Sequence, residues 1–312
     1  MSALLEKVES STRAMCLQAL RDPGLQEGSR LLAERGIYGE KAQSLLLQTA
    51  VNRKTAPDLL VIRTLSSDCA IERAFLLERA LDAISRVPAA LKAVPSVQSL
   101  WCKEIELVAW PKPALAAEFA MDGHLFVDLC KVIAGKRYPS GQHHWEIGGF
   151  PRSWLAKVRP SQLPRALRYL LFSMRGFQPF FETHFRFMLP GTPLPKRAFV
   201  ASFYRMAASL ELQPHIRGLM AASWLYSADT VRVSPMLSFF RELFLEAGGV
   251  LIDLGPASER DGFLEGSPQR AELYRNGRYH PTLTVALCSR EQAFEWTGLH
   301  PEAKALADNI RM

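Results

Sequence analysis

The chain is short of the residues that staple or anchor proteins. Its five cysteines (Cys16, Cys69, Cys102, Cys130 and Cys288) are scattered through 312 residues and none forms a C-x-x-C pair. That excludes a disulfide framework and a zinc ribbon. No apolar run approaches the roughly 18–20 residues that span a bilayer. The opening MSALLEKVESS has early acids and no apolar stretch after a basic cluster, so no secretory leader is expected and the location is read as cytoplasmic. There is no G-x-S-x-G, which argues against a serine-hydrolase elbow, and no RNA-recognition, KH or zinc-finger signature. No repeat of fixed period is evident.

What the chain does have is a block of positive charge. Between Lys131 and Arg205 stand thirteen Lys or Arg against two acids, Glu146 and Glu182, although the whole chain carries only +7. The flanks are therefore net acidic. The block also holds His143, His144, His184 and many aromatics. Such a segment meets something anionic or faces acids from the flanks.

Residues 1 to about 110 read as helical. LLEKVESSTRAMCLQAL, EGSRLLAERG, EKAQSLLLQTAV and IERAFLLERALDAISRV carry apolar residues at three- and four-residue spacing, punctuated by Gly24, Gly36, Pro57 and Pro88. Asp68 is placed to cap the last of them. WPKPALAAE looks like a connection, and FAMDGHLFVDLCKVIAG fits either a helix or a strand pair. The Gly- and Pro-rich stretch 135–160 reads as one long loop. PSQLPRALRYLLFSMRG reads as a basic helix. From 180 onward FFETHFRFML, RGLMAASWLYS, VLIDLGPAS and HPTLTVALCSR read as strands alternating with helices, among them SPMLSFFRELFLEAGG with Ser234 as its cap. The expected fold class is α/β (α+β overall). A helical region at 1–110 precedes an α/β domain at 111–312 whose sheet is mixed or partly parallel and flanked by helices.

The candidate chemistry follows from this layout. Alternation along Glu182-Thr183-His184-Phe185-Arg186 puts Glu182, His184 and Arg186 on one face. They could act as an orienting carboxylate, a general base and an anion clamp. His143, His144 and Glu146 lie in the expected loop. His144, His184 and Glu182 would be ligands if a metal were bound, and His124 and Asp128 share a helix face, but neither set is a recognised metal signature. Trp224, Tyr226, Ser227 and Asp229 follow a strand end, where open α/β sheets place their ligand crevice, and with His144 are the expected substrate-pocket residues. Ser267 opens a short helix whose free N–H groups, with Arg270 and Arg275, offer a phosphate or carboxylate site.

The run Arg217–Arg290 resembles the C-terminal half of GNAT-type N-acyltransferases. The phrase AELYRNGRYHPTLTVAL, with Ala271, Leu273, Tyr274 and Gly277, is similar to the family's Ala-x-x-Leu-Tyr-x-x-x-Gly phrase. The resemblance implies an acyl-CoA donor whose pyrophosphate sits at a helix N-terminus. It also implies that Tyr274 is the general acid to the leaving thiolate. Where the family carries its glycine-bearing pyrophosphate loop this chain has SADTVRVSPMLSFF, without glycine.

The function expected from these readings is acyl transfer from a CoA or acyl-carrier-protein thioester to an amine or hydroxyl. His184 would be the base, Glu182 its partner and Tyr274 the acid. Arg186, Ser267, Arg270 and Arg275 would hold the donor, and no metal or membrane is required. Two alternatives stand beside it. One is a nucleic-acid or tRNA-binding protein, because Tyr138, Trp145, Trp154, Tyr169 and Phe177 interleave with the cations. The other is a metal-dependent oxygenase using His and Glu from 143–184.

Overall fold

A computed structural model describes residues 2–52, 54–63, 69–111, 119–120, 123–185, 195–264 and 267–309. The described residues divide into two compact units, one running to Pro139 and the other starting at Ser140. The boundary expected near residue 110 lies inside the first unit. Asp68 and Arg186 lie outside the described residues.

The first unit is helical: α1 Ser2–Ala19, α2 Pro23–Glu34, α3 Gly39–Asn52, α4 Pro57–Arg63, α5 Ala70–Ala83, α6 Val87–Ala90, α7 Pro95–Ala109 and α8 His124–Ile133, with a two-residue strand β1 Tyr138–Pro139 at its end. Local chemistry sets the helix starts. The Asp22 carboxylate accepts from the N–H groups of Gly24 (3.0 Å) and Leu25 (3.3 Å), and Pro23 opens α2. Helix α5 is the hub, with Ile71, Ala74, Phe75, Leu76, Leu77 and Ala80 buried. Gly28 lets α2 lie close to it, since a Cβ there would meet the Ala70 carbonyl oxygen at 2.8 Å. The segment that fitted a helix or a strand pair is helix α8. Its Asp128 is paired with buried Arg137.

The second unit has an α/β fold. Its strands are β2 His143–Gly148, β3 Phe180–Phe185, β4 Gly218–Ser223, β5 Val250–Pro256 and β6 Thr282–Ser289. Its helices are α9 Leu163–Arg168, α10 Lys196–Ser209, α11 Ala228–Val233, α12 Ser238–Glu246, α13 Pro268–Arg275, α14 Arg290–Leu299 and α15 Pro301–Asp308. The strands lie in the order β2-β3-β4-β6-β5 and the sheet is mixed. The β3–β4 pair is parallel; β2–β3, β4–β6 and β6–β5 are antiparallel. A parallel pair needs a crossover, and α10 supplies it. One sheet face packs Phe180, Met220, Ile252, Val285 and Leu287 against Tyr169, Leu170 and Met174 from the segment after α9. The other face carries Trp145, Phe181 and Phe185. It meets α12 through the edge-on pair Phe185–Phe240 (5.4 Å), and Phe199 of α10 packs edge-on against Phe240 in turn (4.6 Å).

Two local expectations are corrected. The stretch 135–160 is not one loop, because it contains β1, β2 and a 3-10 turn at Arg152–Lys157. The polar residue types of β2 conceal a strand in which His143, His144 and Trp145 are all buried. Ser234 does not cap a helix with its side chain. Instead its hydroxyl accepts from Arg270 at 3.4 Å, and a short turn at Pro235–Leu237 precedes α12.

Candidate functional site

The β2–β3 ladder builds a polar cluster. His144 pairs with His184 and Glu146 with Glu182, so all four side chains share one sheet face. The His184 Nε2 lies 4.0 Å from Glu146 Oε1 and 3.9 Å from Glu182 Oε1. His144 is buried, while the side chains of His184, Glu182 and Glu146 retain 24%, 21% and 12% of their exposure, so the cluster reaches solvent through His184. Its apolar neighbours on the same face are Phe180, Met220 and Ala222. Gly148 ends β2 beside this cluster, and a Cβ on it would stand 2.2 Å from Glu182 Oε2. Among the described residues, no three His, Cys, Asp or Glu side chains form a group that could hold a metal ion.

His143 points to the opposite face. It is packed between Phe185 (4.7 Å) and Phe199 (4.6 Å), is 1% exposed, and neither ring nitrogen has a hydrogen-bond partner among the described residues. Burial, with a smaller contribution from His144, pushes its pKa down to about 3. His143 is therefore a neutral packing residue.

The parallel pair opens beside His184. Among the described residues, strands β3 and β4 pair over Phe181–Thr183 and Leu219–Ala221, while β3 runs on to Phe185 and β4 to Ser223. The Thr183 hydroxyl donates to the Met220 carbonyl at 3.3 Å, at the last rung. Helix α10 follows β3. Its N-cap is Pro195, which makes no side-chain cap, and its first turn holds exposed Lys196 and Arg197 with no acid. The first N–H groups of a helix have no partner within it, and cations there oppose the helix dipole. An anion at this place would satisfy both.

The other expected residues lie at the same end of the sheet, in different settings. Tyr226 and Ser227 are each 1% exposed. The Tyr226 hydroxyl bonds Thr183, and burial raises its pKa. The Ser227 hydroxyl accepts from the Thr282 N–H at 3.1 Å. Trp224 lies under the Arg270 guanidinium (5.1 Å). Arg270 Nε in turn donates to the Phe263 carbonyl at 2.8 Å. Asp229 accepts from Arg232 (2.7 Å) and from the His280 N–H (2.5 Å). Burial would raise the Asp229 pKa, but these bonds hold it below its ordinary value. Ser267 caps α13 by accepting from the Arg270 N–H at 3.3 Å, and Arg275 is exposed. Tyr274 lines a cleft of about 320 Å³ with Arg159, His280 and Thr282, at the ends of β5 and β6.

Sequence reasoning left Glu146, Lys196 and Arg197 out of the site. The signal for Glu146 was its position two residues after His144; for the cations it was their place directly after Pro195 at a helix start. It also passed over Asp253, whose carboxylate accepts from Thr284 (2.8 Å) and Thr282 (3.3 Å).

No family model and no curated protein matches the chain. Solved structures are similar at low identity. One is an acyltransferase in complex with decanoyl-CoA, 14% identical, covering 87% of this chain and 98% of its own, with a TM-score of 0.39. Another is an acyltransferase in complex with decanoyl-CoA and teicoplanin, 13% identical, covering 71% of this chain and 67% of its own, with a TM-score of 0.45. A third is an acyltransferase in complex with CoA and 10C-teicoplanin, 12% identical, covering 80% of this chain and 88% of its own, with a TM-score of 0.39.

Proposed function

We propose that the chain is an acyltransferase that moves an acyl group from a coenzyme A thioester to an amine or hydroxyl. The observation that carries this reading is the parting of β3 and β4 directly beside His184 among the described residues, with the cationic start of α10, whose N-cap Pro195 makes no side-chain cap, following β3. Ligands of open α/β sheets bind beyond the carboxyl ends of their strands, and helix starts hold phosphates. The donor's pyrophosphate would lie on the N–H groups of α10, beside Lys196 and Arg197. The resemblance to GNAT-type enzymes puts the pyrophosphate helix after β4 instead. We assign it to α10 because α10 joins the parallel pair. The amides of the pantetheine arm would pair with strand backbone released where β3 and β4 part, as an added strand does.

The thioester carbonyl would then lie near His184. The acceptor's nitrogen or oxygen attacks that carbon, a C–N or C–O bond forms and the C–S bond breaks. His184 takes the acceptor's proton, and Glu146 and Glu182 stabilise the imidazolium electrostatically. The proton then passes to the leaving thiolate. Tyr274 lines a cleft at the ends of β5 and β6, and β4 lies between those strands and β3. We therefore assign the proton return to His184.

The test is thiol release from a medium-chain acyl-CoA in the presence of an amine panel, followed by mass spectrometry of the products. Turnover that His184→Gln abolishes supports the reading. Turnover unchanged in that variant, or a wild-type chain that neither releases thiol nor gains thermal stability from acyl-CoA, contradicts it.

A further inference from the structure

At the other end of the sheet a second basic site stands apart from the acyl-transfer machinery. A cleft of about 540 Å³ opens at the amino ends of β3 and β4, lined by Arg152, Arg217, Gly149, Gly176, Phe150 and Phe177 among others. His184 is the fifth residue of β3, about 13 Å along the strand from its start at Phe180. The segment from Ile147 to Phe181 contains no Asp or Glu but six Lys or Arg. We propose that this cleft binds a phosphate monoester, a function independent of the acyl-transfer reading.

The cleft is built around its two guanidinium groups. Arg152 lies over the Phe177 ring, 5.6 Å from its centroid, which fixes the guanidinium at the rim. Arg217 donates to the Arg175 carbonyl with NH1. Gly176 makes room for it: its φ is +135°, and a Cβ there would stand 2.2 Å from Arg217 NH1. A Cβ on Gly149 would strike the Phe177 carbonyl oxygen at 2.7 Å. The nearby acid, Glu291, is held by Arg175 at 2.8 Å. Arg290 adjoins through its N–H, which donates to the Arg217 carbonyl at 2.9 Å.

Two arginine forks suit a dianionic phosphate. Phe150 and Phe177 offer an apolar wall for the group that carries it. The phosphate could come from a soluble ester or from a lipid headgroup. The lipid source is included because Phe172 (77% exposed) and Leu171 (50%) stand on the adjoining helical turn beside exposed Arg165 and Arg168.

Thermal denaturation with glycerol 3-phosphate, against sodium chloride of equal ionic strength, tests the soluble source. Sedimentation with phosphatidic acid vesicles, against phosphatidylcholine vesicles, tests the lipid source. A rise in Tm of several degrees at millimolar ester, lost in Arg152→Gln and in Arg217→Gln, supports the proposal with a soluble ligand. Absence of that rise with selective vesicle binding lost in the same variants supports it with a lipid ligand. Arg152 is exposed, so its variant retains the fold. Neither response in the wild type, or either response retained in Arg152→Gln, overturns the proposal. Acyl-CoA turnover is the separate readout for His184 and is expected to be unchanged in Arg152→Gln.

Discussion

His184 and His144 stand directly opposite each other across the antiparallel β2–β3 ladder, and each has a glutamate two residues along its own strand. That relationship gathers four titratable groups on one face. It also leaves His184, the most exposed of them, at the mouth of the gap between β3 and β4. Replacing His184 by Gln keeps its approximate size and polarity but removes the base. Turnover is expected to fall by about 10²–10⁴-fold with little change in Tm. A loss of Tm as large as that of a core variant would instead mark His184 as structural.

Gly148→Ala probes the same cluster without replacing a titratable group. The new Cβ would stand 2.2 Å from Glu182 Oε2, so the flexible end of that glutamate must move. A displacement of about 1 Å in a catalytic group can cost about 10²-fold in rate. The expected outcome is a marked fall in kcat at nearly constant Tm, measured by thiol release and thermal denaturation together.

His143 predicts how stability depends on pH. Its folded pKa is pushed from 6.5 to about 3, so below pH 6.5 the unfolded chain binds a proton that the folded chain refuses. Stability is full above pH 6.5 and is lost as pH falls from there toward 3, at up to about 1.4 kcal/mol per pH unit. His143→Met removes this slope and also removes a buried imidazole that has no hydrogen-bond partner among the described residues, at little or no cost at pH 7.5. Urea denaturation at pH 7.5, 6 and 5 measures both effects. Parallel pH dependence in the two proteins would contradict the assignment.

Arg205 shows that part of the basic block is structural. Its NH1 donates to the Ser140 carbonyl (2.7 Å), and its Nε and NH2 donate to the Ala307 carbonyl (3.0 and 2.7 Å). The side chain is buried. Arg205→Met is expected to cost about 2–4 kcal/mol in a denaturant titration, because carbonyls are left unsatisfied. Arg168→Ala, on the surface, should stay within about 0.5 kcal/mol.

Much of the fold was legible where local chemistry governs it. The Ser267 cap of α13, the helical spacing through α5 and the strands around Phe181, Leu219, Ile252 and Val285 follow from propensity and pattern. Strand β2 did not, because its buried positions are filled by two histidines and a tryptophan, and only the ladder with β3 explains them. The division of the cations was equally hidden. Arg137, Arg205 and Lys131 are buried while Lys196 and Arg197 are exposed, a difference set by tertiary packing that residue type does not encode. Tyr226 and Ser227 have the composition of pocket residues, yet their hydroxyls bond Thr183 and Thr282 inside the unit.

The most direct measurement is calorimetric titration of a medium-chain acyl-CoA into the wild-type chain and into a Lys196→Glu, Arg197→Glu double variant. Both residues are exposed, so the fold is retained. The account predicts stoichiometric binding to the wild type, weakened at least tenfold in the variant, about 1.4 kcal/mol. Absence of binding to the wild type, or equal affinity in the two proteins, would contradict the placement of the donor on α10.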